Sequence, residues 1–89
     1  MIVVSTNSFN KDLRRIIDKK IATRVEQAIL KMEAVDLVTE IPGVKKLSGS
    51  SNAYRVRIGD YRLGFFLLNN TIRLTIFAHR KEVYRFFPH

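Results

Sequence analysis

Three closely spaced arginines, Arg55, Arg57 and Arg62, are the residues of this chain that point most directly to chemistry. Guanidinium groups present planar, paired N–H donors that match the oxygens of a phosphate. Because Arg55 and Arg57 are two positions apart, a strand would put both side chains on one face. The pattern favours an anion site, and the alternative is a solvated face whose long side chains extend into water.

Two tight turns bring these arginines together in the predicted structure. Gly59-Asp60 and Asn69-Asn70 are two-residue hairpin signals, and they divide residues 53–79 into three antiparallel strands. Counting outward from the first turn places Arg57 directly across from Arg62. Like charges across a sheet are destabilising, so we expect this face to be stabilised when an anion binds.

Counting from both turns predicts the same two faces for all three strands. The face expected to form the core consists of Tyr54, Val56, Ile58, Tyr61, Leu63, Phe65, Leu67, Ile72, Leu74 and Ile76. The arginine face consists of Arg55, Arg57, Arg62, Gly64, Thr75, Phe77 and His79. In this register the pairs at the far end are Leu63–Ile76, Arg62–Phe77 and Asp60–His79. A slip of one residue would invert every assignment, so the agreement supports the register.

Positive charge is concentrated in the second half of the chain. Residues 1–40 contain seven Lys/Arg and six Asp/Glu, whereas residues 41–89 contain nine and two, within a net charge of +8. Such a basic half predicts a polyanionic partner: RNA, DNA or an acidic protein. A membrane surface is disfavoured, because the charges lie on predicted strands rather than on a basic amphipathic helix.

Length and composition predict a single domain over residues 1–89. A hydrophobic content of 46% with 27% charged residues is typical of a globular chain. The chain has no cysteine, no metal-ligand motif and no Gly-rich phosphate loop, so we expect neither a metal nor a cofactor. No apolar run is long enough to span a membrane, and we expect a cytoplasmic protein.

The segment before the arginines predicts the scaffold. Residues 1–5 are typical of a strand, and the apolar positions that follow at helical spacing are Phe9, Leu13, Ile16, Ile17, Ile21, Val25, Ala28, Ile29 and Met32. A phase shift near Lys19-Lys20 predicts a helical hairpin, with Ser8 as the first N-cap. Residues 44–47 form a short strand or a link. The result is an α+β fold: a strand, a helical hairpin and three or four antiparallel strands, with helices on one face and the other face open.

The chain resembles the RelE/ParE superfamily of bacterial toxins in its element order, in the passage KKLSGSSNAYRVRIGDYRL and in the ending HRKEVY. The resemblance covers nearly the whole chain and implies the RelE-like microbial ribonuclease fold. The RelE branch implies a type II toxin that cleaves mRNA at the ribosomal A site, inhibits translation and is neutralised by a cognate antitoxin. The ParE branch has the same fold and inhibits DNA gyrase without nuclease activity. An inactive antitoxin-binding relative is a third possibility.

The resemblance also implies site residues. Arg55 and Arg57 match two basic strand positions that are usually lysines in the best-known members, and Arg62 matches the arginine of the Y-R turn. Arg80 and Tyr84 match the closing motif, at a shorter spacing than in some members. Tyr84 would stack on or orient the substrate nucleotide. The other residues expected to contact RNA are Lys45, Lys46, Phe77, Lys81 and Arg85.

The implied reaction is metal-independent attack of a ribose 2′-hydroxyl on its own 3′ phosphate. It needs a base, cationic stabilisation of the phosphorane and an acid for the leaving oxygen. Arg57 cannot readily serve as the base, because arginine stays protonated in proteins. His79 is the candidate base, because the alternation of side chains along the strand puts it on the arginine face. A structural contact between His79 and Asp60 is an equal alternative. Positioning by the ribosome would also contribute to the rate.

Overall fold

The computed structural model describes residues 1–16 and 18–88, which form an α+β fold with two helices on one face of a sheet. The elements are β1 (Ile2–Ser5), α1 (Asn7–Arg14), α2 (Lys19–Ala34), a 3₁₀ helix (Val38–Glu40), β2 (Val44–Lys46), β3 (Ala53–Ile58), β4 (Tyr61–Leu68), β5 (Thr71–His79) and α3 (Val83–Phe86). Ile17, a member of the predicted apolar stripe, lies outside the described residues. No helix within these two ranges combines the length and apolar character needed to cross a bilayer.

The five strands lie in the order β1-β5-β4-β3-β2. Strands β2 to β5 are antiparallel to their neighbours, and β1 joins the edge parallel to β5. Both two-residue turns form, and Gly59 and Asn69 take φ values of 59° and 56° at their first positions. Residues 44–46 are a strand rather than a link. These observations confirm the predicted α+β class.

The predicted helical hairpin forms, but its first N-cap differs from the prediction. Thr6 Oγ1 accepts the N–H of Phe9 at 3.2 Å, so Thr6 rather than Ser8 caps α1. Ser8 lies within the first turn of the helix and donates its hydroxyl to the carbonyl of Thr75 on β5 at 2.9 Å. The prediction was wrong because serine and threonine are both preferred N-cap residues, and residue type alone does not decide which of Thr6 and Ser8 caps the helix. Only the path of β5 distinguishes them.

The sheet has an inner face, covered by α1 and α2, and an outer face. On the inner face the helices contribute Phe9, Val25 and Met32 to a core completed by Val35, Ile41, Val56, Ile58, Leu63, Phe65, Ile72, Leu74 and Phe77. On the outer face Ala53, Val83 and Phe87 form a second, smaller cluster. The prediction that the outer face is open is therefore wrong for part of that face, because the C-terminal segment covers it.

The pairing of β4 with β5 agrees with the prediction only near the Asn69-Asn70 turn. Beyond it a β-bulge occurs, and the pairs become Gly64–Ile76, Leu63–Phe77, Arg62–Ala78 and Tyr61–His79. Thr75 is the extra residue. Every later side chain on β5 consequently changes face, so Ile76 lies on the outer face and Phe77 and His79 lie on the inner face. The predicted faces of these three residues were wrong because strand alternation is interrupted at a bulge.

Two side chains of α1 hold the bulge in place. Ser8 donates to the Thr75 carbonyl, and Asp12 Oδ2 accepts the N–H of Phe77 at 3.1 Å. This part of β5 extends past the end of β1, so the α1 side chains occupy the edge where a neighbouring strand would bind. Phe77 then enters the core, where its ring stacks on Tyr61 with centroids 5.2 Å apart.

Candidate nucleic-acid interface

The outer face of β3 and β4 carries the three predicted arginines in the predicted register. Arg57 lies directly across from Arg62, and Arg55 lies across from Gly64. Within residues 1–16 and 18–88, no carboxylate forms an ion pair with any of the three guanidinium groups. Their positive charge is therefore available to an external anion.

Main-chain carbonyls position two of these guanidinium groups. Arg62 is half-buried, and its Nη1 donates to the carbonyls of Gly59 at 3.0 Å and Tyr61 at 2.9 Å. Arg55 Nη1 donates to the carbonyl of Gly43 at 2.7 Å. A guanidinium has five N–H donors, so these bonds orient the groups and leave donors for a ligand.

Gly43 is a supporting residue that sequence reasoning missed. It takes φ +75° in the turn before β2, and its carbonyl accepts both the Arg55 side chain and the N–H of Arg57, the latter at 3.2 Å. Its position after Pro42 marks a turn, and this turn signal was the only hint in the sequence. Which strand the turn would meet depends on the pairing of β2 with β3.

A cleft of about 460 Å³ opens beside Arg55 between β2, β3 and the C-terminal segment, and we call it the β2–α3 cleft. The residues that line it include Lys45, Lys46, Ser48, Arg55, Tyr84 and Phe87. Lys45 is directly across from Arg55, so two cations from neighbouring strands border the cleft. Tyr84 is 51% exposed and supplies an aromatic surface. The lining contains no carboxylate and no histidine.

The short helix α3 presents Tyr84 to the cleft because its other side is anchored in the sheet. Val83 and Phe87 are fully buried, and the Phe87 ring packs on Phe66 with centroids 5.1 Å apart. Tyr84 and Phe86 lie on the exposed side, with Phe86 62% exposed. Of the terminal phenylalanine pair, one therefore packs and the other faces solvent.

The remaining basic residues of the C-terminal segment lie in the turn after β5 and on α3. The N–H of Arg80 donates to the carbonyl of Asp60 at 2.8 Å, which places Arg80 next to the β3–β4 turn. Its side chain is exposed, and α3 begins only at Val83, so Arg80 and Tyr84 do not share a helical face. Lys81 and Arg85 are also exposed, on the turn and on α3 respectively.

The predicted placement of Phe77 and His79 on the arginine face is wrong. Phe77 is 3% exposed, so its ring has no surface on which a base can stack. His79 pairs with Tyr61 rather than with Asp60, and its ring lies edge-on to the tyrosine at 5.8 Å. Its Nδ1 accepts the N–H of Lys81 at 3.2 Å. The bulge at Thr75 has moved both residues to the opposite face from Arg55.

Comparisons with known proteins identify close relatives. No protein-family model matches the sequence. The chain is 35% identical over 91 residues to "Toxin RelE3" of Methanocaldococcus jannaschii, an alignment that covers 99% of this chain and 100% of that protein. A chain in the crystal structure of the RelB-RelE antitoxin-toxin complex from Methanococcus jannaschii superimposes with a TM-score of 0.81 at 29% identity, covering 96% of this chain and 99% of that one. The archaeal RelE-RelB complex from Pyrococcus horikoshii OT3 has the same fold, with a TM-score of 0.73 at 24% identity and coverage of 89% and 93%.

Proposed function

Since this chain belongs to the RelE family of toxins, we propose that it is the toxin of a type II toxin–antitoxin system and a ribosome-dependent mRNA endonuclease. The observation that carries the proposal is the β2–α3 cleft, where Lys45, Arg55 and the exposed ring of Tyr84 meet. Cations bind the phosphates of a polynucleotide, and an exposed aromatic ring stacks on an unpaired base. Together they favour single-stranded RNA as the substrate, and mRNA in the ribosomal A site is such a strand.

In the proposed reaction the ribose 2′-oxygen forms a bond to its own 3′ phosphorus, and the bond from phosphorus to the next 5′-oxygen breaks. The 2′-hydroxyl loses a proton and the 5′-oxygen gains one, which yields a 2′,3′-cyclic phosphate and a 5′-hydroxyl end. Arg55, with Arg62 on the same face, stabilises the charge that develops on the phosphorane. No metal takes part in this scheme.

Proton transfer falls to the groups that line the cleft. Lys45, Lys46 and Tyr84 carry side chains that can exchange a proton, whereas Arg55 stays protonated. His79 is removed from this role by its position on the inner face. Orientation of the 2′-oxygen in line with the leaving oxygen by the ribosome supplies a further part of the rate.

We also propose a cognate antitoxin as the physiological partner, by analogy with the RelB-RelE complexes. The outer face offers cations at its β3 end and exposed apolar side chains at its β1 end, where Ile2, Val4 and Leu68 are 59%, 45% and 68% exposed. An amphipathic segment with acidic residues complements both features. Since the substrate is mRNA on ribosomes, the toxin acts in the cytoplasm.

Mapping of RNA ends tests the nuclease proposal. Purified protein is added to a translation reaction, and new 5′ ends within the coding region are located by primer extension. We expect cuts that depend on ribosomes and carry 5′-hydroxyl groups, and we expect Arg55→Ala to remove them. Intact mRNA in the presence of folded wild-type protein would contradict the proposal.

One observation favours a second function, inhibition of DNA gyrase by the same fold without nuclease chemistry. The cleft has no histidine or carboxylate, the residue types that most often act as a base near neutral pH. A supercoiling assay with purified gyrase separates this function from the first. Inhibited supercoiling together with intact mRNA would establish the gyrase function, and the absence of any growth phenotype would favour an inactive antitoxin-binding relative.

A further inference from the structure

Apart from Lys19 at its first position, the charged residues of α2 are divided by sign between its two flanks. Lys20, Arg24 and Lys31 recur at intervals of four and seven residues, so they lie on one line along the helix over about 16 Å. Glu26 and Glu33 lie on the opposite flank, separated from these cations by the buried stripe that contains Val25 and Met32. We call Lys20, Arg24 and Lys31 the α2 basic flank.

Arg24 connects this flank to the arginines of the sheet. A Cβ built on Gly59 would lie 3.1 Å from Arg24 Nη1, so the guanidinium rests against the β3–β4 turn. Arg62 Nη1 donates to the carbonyl oxygen of the same glycine at 3.0 Å. Two guanidinium groups from different elements therefore border one turn residue. Neither forms an ion pair with a carboxylate of the described residues.

A groove of about 310 Å³ continues this surface along the edge of β3, beyond the end of β2. The residues that line it include Arg24, Gln27, Lys31, Pro42 and Arg57. Three of them are cations, and no acidic side chain lines the groove. Like charges gathered without a counter-charge create a positive potential that attracts a polyanion.

The composition of the groove favours nucleic acid over a protein. Protein interfaces are built around a buried core rich in aromatic and other apolar side chains. No aromatic side chain lines this groove, and of its apolar residues Ile41, Val56 and Ile58 are buried in the core, which leaves half-buried Ala28 and exposed Pro42. The polar groups that the groove offers to a partner are three cations and one amide side chain, and these groups bind phosphate and sugar oxygens.

We propose that the α2 basic flank and Arg57 bind the phosphate backbone of RNA outside the cleft, so that a strand held at Arg55 continues over the β3–β4 turn onto α2. The choice of RNA over DNA rests on the proposed ribonuclease function. Phosphate contacts carry no sequence information, so this surface sets affinity and the direction of the strand. The cleft selects the bond that is cut.

Two double variants with the same change in net charge test the proposal. Arg24→Glu/Lys31→Glu reverses two cations of the groove. Lys11→Glu/Arg14→Glu reverses two exposed cations of α1, which packs on β5 and contributes no residue to the groove. Binding of a dye-labelled single-stranded RNA to the full chain is measured by fluorescence anisotropy over a series of salt concentrations. Thermal melts check that all four positions, which are exposed, tolerate the change.

We expect the Arg24/Lys31 variant to bind RNA about tenfold more weakly, with a salt slope smaller by about 1.4, because each lost phosphate contact on a single strand removes about 0.7. The Lys11/Arg14 variant should keep the wild-type slope. Equal losses in both variants, or no loss in the first, would overturn the proposal. Competition by poly-glutamate as strong as that by RNA would also overturn it, in favour of an acidic protein partner.

This binding assay does not depend on cleavage, so the nuclease function and the RNA-binding surface on α2 can be contradicted independently of each other. If wild-type protein leaves mRNA intact but the groove variant loses RNA affinity, the nuclease function fails and the RNA surface stands. If mRNA is cut and RNA affinity is unchanged in the groove variant, the RNA surface alone fails. The milder pair Arg24→Gln/Lys31→Gln provides the same readout should the reversed charges impair folding.

Discussion

Phe87 lies directly over Gly64 on the outer face of the sheet. A Cβ built on the glycine would be 2.8 Å from the Phe87 ring and 2.6 Å from Ile76 Cγ2, closer than real side chains approach. Gly64 is directly across from Arg55. Phe87, which anchors the C-terminal segment, therefore packs next to the β2–α3 cleft. The position of Tyr84 therefore depends on the absence of a side chain at residue 64.

Replacing Gly64 should destabilise the protein. Gly64→Ala introduces a methyl group into space that Phe87 and Ile76 already fill, and such overpacking costs about 1–3 kcal/mol. Urea unfolding measures the loss. In the double variant Gly64→Ala/Phe87→Leu the smaller leucine side chain leaves room for the methyl group, so part of the lost stability should be recovered. Additive losses in the double variant would argue against a direct contact.

The two terminal phenylalanines should differ sharply when truncated. Phe87→Ala removes a ring that is 2% exposed and should cost about 3–5 kcal/mol, whereas Phe86→Ala removes a ring that is 62% exposed and should cost less than about 0.5 kcal/mol. Chemical denaturation of both variants tests the difference. Equal losses would contradict the observed packing of α3.

Asp12 should contribute to stability through the bulge in β5. In Asp12→Ala the N–H of Phe77 loses its acceptor, which costs about 1–3 kcal/mol for a partly buried donor. Asp12→Asn keeps an acceptor oxygen and should lose much less. Asp36→Ala, at an exposed position, is the matched control. A loss in the control as large as in Asp12→Ala would attribute the effect to charge rather than to this hydrogen bond.

Arg62 should be required for cleavage and not for folding. Its guanidinium is positioned by the carbonyls of Gly59 and Tyr61 on the outer face, so we expect Arg62→Ala to reduce the rate of mRNA cleavage about 10²- to 10³-fold. Arg73→Ala removes an exposed arginine of β5 at the far end of the sheet and should leave the rate near the wild-type value. Comparable rates in the two variants would remove Arg62 from the site.

Tyr84 should act through its ring rather than through its hydroxyl if it stacks on a base. Tyr84→Ala should then weaken the reaction by about 1–3 kcal/mol, or roughly five- to 150-fold in rate, whereas Tyr84→Phe should retain most of it. Cleavage rates on ribosomes measure both. A large loss in Tyr84→Phe would instead indicate that the hydroxyl transfers a proton.

The β3–β4 hairpin could be derived from sequence because everything that defines it is local. The Gly59-Asp60 turn sets the register, and alternation from Ala53 to Ile58 sets the faces, so the pairing of Arg57 with Arg62 followed directly. The asymmetry of charge, the helical hairpin and the resemblance in the closing motif were likewise readable from residues close together in the chain.

Contacts between residues far apart in sequence decided the rest. The bulge at Thr75 is held by Ser8 and Asp12, which lie 67 and 65 residues from their partners, and a strand pattern contains no trace of them. That bulge moved Phe77 and His79 to the inner face and removed the predicted base from the site. Alternation predicts a side chain's face only while a strand stays regular, and whether it stays regular depends on what packs along its edge.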